Sequence, residues 1–171
     1  MNALLIYPKF PDTYWSFKHA LSFQGKRAAQ PPLGLMTIAA LLPASWPRRL
    51  VDTNVERLTD KDLAWADVAM ISGMDVQHAQ LVAIVERCRA RRLRTVVGGP
   101  IASSLSAAEL KADHIVIGEA ESLIAGLAHD LELGSAKPVY QAAERPEMHA
   151  SPLPDLSLIK MNRYSTMTVQ Y

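Results

Sequence analysis

The chain has 171 residues, of which 49% are hydrophobic and 20% are charged, and its 18 basic and 17 acidic side chains leave a formal net charge of +1. Domains commonly run to about 100–150 residues, so this length suits one globular domain with a tail. A charge so close to zero excludes the global field that draws basic proteins to nucleic acid or to anionic membranes. The single cysteine, Cys88, excludes an intrachain disulfide and a cysteine-based metal cage within these residues, and it is typical of a reducing cytoplasm.

Short apolar segments alternate with helical patterns along the chain, which predicts a parallel β-sheet covered by helices on both faces. The amino-terminal apolar run is far shorter than the roughly 20 residues that a membrane-spanning helix needs, so we expect a strand of a soluble protein there and no membrane span. The predicted strands are residues 3–7, 49–54, 67–72, 94–97 and 113–117. Five strands at this spacing favour a flavodoxin-like (Rossmann-like) α/β fold with strand order 2-1-3-4-5.

The predicted helices follow from apolar periodicity and from end signals. Pro31-Pro32 begins an apolar helix that extends from Leu33 to about Leu42, and residues 59–65 form a short polar turn or helix. A one-sided stripe made by Leu81, Ile84, Val85 and Cys88 predicts a surface helix. Ser106 and Glu109 have capping-box spacing, and a last amphipathic helix after Ala120 closes near Gly134.

Residues 8–32 have no obvious secondary structure and are rich in aromatic side chains. A long irregular stretch inside a compact domain is usually functional when it is ordered. Tyr14, Trp15 and Phe17 either line one face of a ligand, contact a further domain, or pack in the core. We favour the first two readings, because the stretch lacks the period of a helix or strand.

The sequence pattern changes after Gly134, where prolines at 138, 146, 152 and 154 interrupt any helical or strand periodicity. We therefore predict a ligand-binding domain over 1–134 and a Pro-rich linker over 135–171. The linker ends in a β-branched, alternating segment, residues 164–171, that predicts a strand leading into a further domain. A chain that ends inside a strand signal is expected to be a fragment of a longer protein.

Glycine-containing turns follow the third, fourth and fifth predicted strands, at the edge where an open parallel sheet binds its ligand. Gly73, the Gly98-Gly99 pair and Gly118 allow a ligand to approach the backbone, although tight strand-to-helix turns with positive φ would also require glycine. A dinucleotide site needs a glycine fingerprint after the first strand, and the residues after Tyr7 contain none. A phosphoacceptor receiver would need an aspartate at the end of the third strand, where this chain has Ser72.

Six short motifs in order resemble the amino-terminal cobalamin-binding domain of radical S-adenosylmethionine enzymes. They are Leu-Leu-Ile-Tyr-Pro-Lys-Phe-Pro at 4–11, Pro-Pro-Leu-Gly-Leu at 31–35, Val-Asp-Thr-Asn-Val at 51–55, Ile-Ser-Gly-Met at 71–74, Val-Gly-Gly-Pro at 97–100 and Gly-Glu-Ala-Glu at 118–121. The resemblance implies that cobalamin binds here. It further implies that a [4Fe–4S] cluster and S-adenosylmethionine belong to a carboxyl-terminal radical domain of the parent chain, which most plausibly methylates an unactivated carbon.

Backbone turns and aromatic rings together form the predicted cofactor cradle, since a corrin ring is a large apolar disc fringed by amides. The predicted contacts are Ser72, Gly73, Met74, Asp75, Gln77, Gly98, Gly99, Pro100, Gly118, Glu119, Tyr14 and Trp15. Ser72 and Gln77 are additional candidates for hydrogen bonds to corrin amides or to the nucleotide tail. Glu119 and Glu121 have an alternative role as acidic residues favoured at a helix amino terminus. Asp52 and Asn54 are expected to cap a turn.

The chain lacks the DxHxxG sequence through which better-known cobalamin modules place a histidine on cobalt. His19 lies in the corresponding loop in a different setting, and His78 is expected to be exposed or hydrogen bonded. The resemblance therefore implies base-off cobalamin without a protein histidine ligand. The sequence offers no convincing nucleophile, general base or metal site, so the chain by itself is expected to be catalytically silent.

Two further hypotheses compete with cobalamin binding. One is a degenerate domain of the same fold that positions substrate or contacts another domain without a cofactor. The other is an enzyme that binds a nucleotide or a flavin.

Overall fold

A computed structural model describes residues 1–12, 18–142 and 151–167 of the chain. Tyr14, Trp15 and Phe17 lie outside the described residues, as do the last four residues of the predicted terminal strand. The central element is a six-stranded parallel sheet in the order β2-β1-β3-β4-β5-β6. Its strands are β1 (Ala3–Tyr7), β2 (Arg48–Asp52), β3 (Val68–Ser72), β4 (Arg94–Gly98), β5 (His114–Ile117) and β6 (Val139–Gln141).

Seven helices in the described chain connect and cover these strands. They are α1 (Lys18–Phe23), α2 (Leu33–Leu41), α3 (Asp60–Trp65), α4 (His78–Ala90), α5 (Ile101–Ser104), α6 (Ala107–Leu110) and α7 (Ile124–Leu133). The capping box of Ser106 and Glu109 begins α6, and Gly134 ends α7 with φ of +69°, as the sequence predicts. No helix among the described residues is both long and apolar enough to cross a membrane.

Alternate residues of the strands supply two separate hydrophobic layers. Leu5, Met70 and Val96 point to the face covered by α2 and α7. Their neighbours Leu4, Ile71 and Val97 point to the other face, which α3, α4, α5 and α6 cover. Because side chains alternate along a strand, near-continuous apolar strands are what a sheet with two covered faces requires.

The sheet has six strands, so the predicted count of five is wrong. Strand β6 pairs in parallel with β5 and lies in the segment that was expected to be a linker without a sheet period. It contains only three residues, follows Pro138 and buries Tyr140 alone. Such a short edge strand carries too few residues for alternation to be recognised.

Two segments expected to be irregular or extended also differ from the prediction. Helix α1 lies within the stretch 8–32, which was expected to lack structure. In the predicted terminal strand, Tyr164 forms only an isolated parallel bridge with Ala28, and 165–167 do not extend it. Instead, residues 151–167 dock on the domain, and the Tyr164 hydroxyl donates a hydrogen bond of 3.0 Å to the carboxylate of Asp52.

Candidate functional site

A slot of about 360 Å³ opens at the carboxyl edge of β3, β4 and β5. This volume lies in the range of small-molecule sites, which is about 300–1,000 Å³. Helix α2 forms one wall, and the turn after β5 with the start of α7 forms the other. The slot is lined by Leu33, Gly34, Leu35, Thr37, Ile38, Met70, Ile71, Ser72, Val96, Gly98, Gly99, Val116, Gly118, Glu119, Ala120, Glu121, Ile124 and Ser151.

The floor of the slot depends on glycine at position 99. Gly99 has φ of +82°, and a Cβ added there would lie 2.5 Å from Ser72 Oγ. Gly118 also has a positive φ, of +87°, and a Cβ there would lie 3.3 Å from the Cβ of Ala142. Both turns therefore need glycine for their own geometry, and they also leave main chain instead of side chains at the slot surface.

The α2 wall supplies lining residues that are absent from the predicted cradle. Gly34 is exposed in the first turn of α2, and nothing lies within 4 Å of the position that a Cβ would take. Thr37 and Ile38, one turn later, also line the slot. The sequence could have indicated this wall through Gly34. Glycine inside a helix costs about 1 kcal/mol relative to alanine, so its presence there indicates that a ligand or another element approaches the helix backbone closely.

Most of the described residues that line the slot are apolar, and the charged side chains among them are acidic. Glu119 and Glu121 are the only ionisable side chains among the described residues that line the slot, and both follow β5. Thr37 already donates its hydroxyl to the Leu33 carbonyl at 3.2 Å. The slot therefore presents hydrogen-bond acceptors and apolar surface, which suits a ligand that carries amide donors more than one that carries several phosphates.

Five of the predicted contacts are not in the lining of the slot, namely Gly73, Met74, Asp75, Gln77 and Pro100. Gly73, Met74 and Asp75 form the loop after β3, and Pro100 begins the turn after Gly99. Met74 and Asp75 are exposed on this loop, so they remain predictions for a ligand that extends beyond the slot. Gly73 is buried, with its Cβ position 3.0 Å from Leu81 Cδ1.

Gln77 is fully buried, and its role differs from the one predicted. Its Oε1 accepts a hydrogen bond from the Met74 N–H at 2.8 Å, while its Nε2 donates to the Pro8 carbonyl at 2.5 Å. Both ends of the amide are thus engaged by backbone, and the side chain joins the loops after β1 and β3. Gln77 positions the crevice and does not reach into it.

A buried polar cluster lies at the end of β2, next to this edge of the sheet. Asp52 Oδ1 accepts hydrogen bonds from the Asn54 backbone N–H at 2.8 Å and from its Nδ2 at 2.7 Å, which confirms the predicted turn cap. Burial raises the pKa of Asp52, while the hydrogen bonds from Asn54 and Tyr164 oppose the shift. Burial and the nearby Asp52 carboxylate raise the pKa of Tyr7 and of Tyr164 as well.

The described residues contain no group of three His, Cys, Asp or Glu side chains arranged to hold a metal ion. His78 is exposed at the first residue of α4, and His114 Nδ1 lies 2.7 Å from the Lys137 carbonyl oxygen. No described histidine lines the slot. The backbone of His19 lies in α1, and its side chain is outside what the structure describes.

Comparison with known proteins identifies similar chains. A family model described as the B12 binding domain matches residues 28–128, which include β2 to β5 and all of the slot lining except Ser151. An uncharacterized methyltransferase from Synechocystis sp. is 37% identical over 173 residues, covering 100% of this chain and 32% of the relative. The hopanoid C-2 methylase of Rhodopseudomonas palustris (strain TIE-1) is 32% identical, covering 98% of this chain and 33% of the relative.

The chain therefore spans about a third of the length of the curated relatives it matches. No solved structure matches it significantly.

Proposed function

The chain belongs to the B12-binding domain family, and we propose that its slot takes the nucleotide arm of cobalamin while the corrin ring lies over the carboxyl edge of the sheet. The observation that carries this proposal is the open slot beside Gly34, Gly98 and Gly99. Its volume of about 360 Å³ suits an arm of the cofactor and not the whole macrocycle. The ring would then contact the exposed loop residues Met74 and Asp75 and the turn at Pro100.

The openness of the slot favours a cofactor site over a degenerate domain. A domain that had lost its cofactor would be expected to fill the space with its own side chains, since protein interiors are close-packed. Here about 360 Å³ between α2 and the turn after β5 is left unfilled by the described side chains. The walls are largely apolar, so closing them on a ligand would bury apolar surface favourably.

The charge of the slot favours the nucleotide arm of cobalamin, which carries one singly charged phosphodiester group, over a flavin or dinucleotide ligand that carries several phosphate charges. Phosphate-rich ligands are held by Lys, Arg or glycine-rich turns at a helix amino terminus. The described part of the slot lining has Glu119 and Glu121 and no basic side chain. We propose that the Glu119 carboxylate instead accepts a hydrogen bond from the amide or the ribose hydroxyl group of the nucleotide arm.

We further propose that cobalt is bound base-off without a histidine from this chain. The sequence has no DxHxxG motif, and no described histidine lines the slot. The electron paramagnetic resonance spectrum of bound cob(II)alamin tests this, because an axial nitrogen splits the cobalt lines. The expected spectrum has no such splitting and is unchanged in His19→Ala and His78→Ala; nitrogen splitting that disappears in either variant would refute this part.

The parent enzyme is proposed to be a radical S-adenosylmethionine methyltransferase. The names of the two relatives support methyl transfer, and the family resemblance of the motifs supports radical chemistry at a [4Fe–4S] cluster in a further domain. Cobalamin supplies a carrier for the methyl group. The residues of this chain bind and orient the cofactor and are proposed to take no catalytic role.

Reconstitution of the chain with hydroxocobalamin under anaerobic conditions tests the binding proposal. The wild type is expected to retain a stoichiometric corrinoid band in its visible spectrum. Gly34→Leu would fill the slot and abolish that band. Gly126→Leu is the matched control, because Gly126 is an exposed glycine of α7 with nothing within 4 Å of its Cβ position.

Absence of the band in the wild type would favour the degenerate domain. Flavin fluorescence or adenine absorbance in the purified protein would favour the nucleotide reading. Equal retention in Gly34→Leu and Gly126→Leu would leave cobalamin binding standing and refute the assignment of the slot.

A further inference from the structure

The segment that begins at Ser151 crosses from one wall of the slot to the other. Ser151 lines the slot, and its hydroxyl donates a hydrogen bond of 2.8 Å to Glu121 Oε1 on the wall that follows β5. Four residues later the Asp155 N–H donates to the Met36 carbonyl on α2 at 3.1 Å. Residues 151–155 therefore bridge the two walls, and we call them the strap.

The strap is stiff and firmly held at one end. Pro152 and Pro154 restrict its backbone to an extended course and are half-buried, while Leu153 between them is exposed. Beyond the strap, Leu158 and Ile159 pack against the core layer shared by α2 and α7. Asp155 thus leads into a docked segment, whereas the hydrogen bond that holds Ser151 within the described part of the chain is an exposed side-chain contact.

We propose that the strap is part of the cofactor site, with Ser151 and Glu121 as positioning residues that close the slot over the bound arm and slow its release. This inference rests on the proposed binding of cobalamin. The Ser151–Glu121 bond is the weaker end and opens first, and because the strap is stiff its loss also makes the Asp155–Met36 bond open more often. One exposed hydrogen bond suits this role, because it is weak enough to break during ligand entry.

The backbone amide of Asp155 provides a direct report on the strap. Its hydrogen exchange requires the Asp155–Met36 bond to open. If the closed strap retains the ligand, the bound ligand must favour the closed strap by the same factor, since coupling between binding events is reciprocal. Cobalamin is therefore expected to slow exchange at Asp155, and loss of the Ser151 anchor is expected to speed it.

The test measures the dissociation rate of hydroxocobalamin from the 171-residue chain by stopped-flow displacement, together with exchange at the Asp155 amide. Ser151→Ala and Glu121→Ala are each expected to raise the dissociation rate about two- to tenfold, the range that corresponds to one hydrogen bond. Glu121→Gln keeps an acceptor for the serine and should stay near the wild-type rate. The double variant Ser151→Ala/Glu121→Ala should match either single variant, because each breaks the same bond.

Ser165→Ala is the control on the same docked segment, since its hydroxyl donates to Gln24 Oε1 at 2.9 Å away from the slot. Its dissociation rate should equal that of the wild type. Unchanged rates in both Ser151→Ala and Glu121→Ala would overturn the strap while cobalamin binding stood. Additive effects in the double variant would also overturn it, because Glu121 would then act on the ligand directly. Failure of the wild type to bind cobalamin refutes the proposed function, and normal Asp155 exchange in ligand-free Ser151→Ala refutes the strap independently.

Discussion

Replacement of Gly99 by alanine isolates two physical costs that the turn after β4 avoids. The backbone φ of +82° lies in the region that L-residues disfavour by about 1–2 kcal/mol. The added Cβ would also lie 2.5 Å from Ser72 Oγ, and overpacking of this kind costs about 1–3 kcal/mol. Together these terms predict that Gly99→Ala lowers the free energy of unfolding by about 2–5 kcal/mol.

Urea denaturation followed by circular dichroism measures this loss. Total stabilities of single domains are only about 5–15 kcal/mol, so the shift in midpoint should be large. Gly134→Ala is the matched control, because Gly134 has φ of +69° but nothing within 4 Å of its Cβ position. It should lose the backbone term alone, about 1–2 kcal/mol.

A second substitution separates the contact from the backbone strain. Ser72→Ala removes the Oγ that the new Cβ would meet, so in the Gly99→Ala background it should restore about 1–2 kcal/mol. The residual loss should then stay somewhat above that of Gly134→Ala, because the added Cβ would still lie 3.2 Å from the Gly73 carbonyl oxygen and 3.3 Å from its nitrogen. Equal losses in Gly99→Ala and Gly134→Ala, or no coupling between positions 72 and 99, would refute the close approach described for this turn.

Three other predictions follow from buried or slot-facing groups. Cys88 is fully buried, and burial raises its pKa to about 11. A thiol-reactive dye should therefore label Cys88 only as fast as the chain unfolds. Rapid labelling of the native protein would contradict this prediction. Burial raises the pKa of Asp52 in the folded state, so the free energy of unfolding should fall as the pH rises from the unfolded pKa of this group, about 3.9, to the raised folded value. Urea titrations at several pH values should find that Asp52→Asn removes this dependence. An unchanged pH profile in the variant would refute the prediction. Gly34→Ala and Gly126→Ala should each raise the thermal midpoint through helix propensity, by at most about 1 kcal/mol in unfolding free energy, and a loss of stability in Gly34→Ala would contradict the open space beside it.

The strand pattern and the turn chemistry predicted most of the fold, for a physical reason. The five longer strands are apolar on both faces and are bounded by glycine, proline or polar turns, so local sequence determines them. The capping box at Ser106 and the end of α7 at Gly134 are equally local signals. Strand β6 was not predicted, because its three residues pair only with the edge of β5, which is a tertiary contact.

The glycine turns of the slot could also be predicted, whereas the polar network around it could not. Ser72, Gly98, Gly99, Gly118 and Glu119 line the slot as the position of strand ends suggested. The hydrogen-bond partners of the polar side chains could not be predicted, because a sequence does not show which loop will lie next to a buried amide. Gln77 looked available for a ligand, yet its amide is held by Met74 N–H and the Pro8 carbonyl.

The contacts of the tail, residues 151–167, are the extreme case of this difficulty. Tyr164 reaches Asp52 across 112 residues of sequence, and the Thr166 N–H donates to the Ala29 carbonyl at 2.9 Å. Proline spacing alone predicts a loose linker, because it reports the absence of regular structure and not the presence of docking. The tail nevertheless contacts the segment 26–29, which precedes the α2 wall, so the position of the tail and the position of that wall depend on the same contacts. Tyr164→Phe, which removes the donor to a buried carboxylate, is therefore expected to destabilise the chain by about 1–3 kcal/mol in urea denaturation near neutral pH. Tyr140→Phe is the comparison, because it removes a hydroxyl that donates to Asp130 Oδ2 at 2.7 Å. If the protease resistance of the tail fell equally in both variants, the result would argue against this docking.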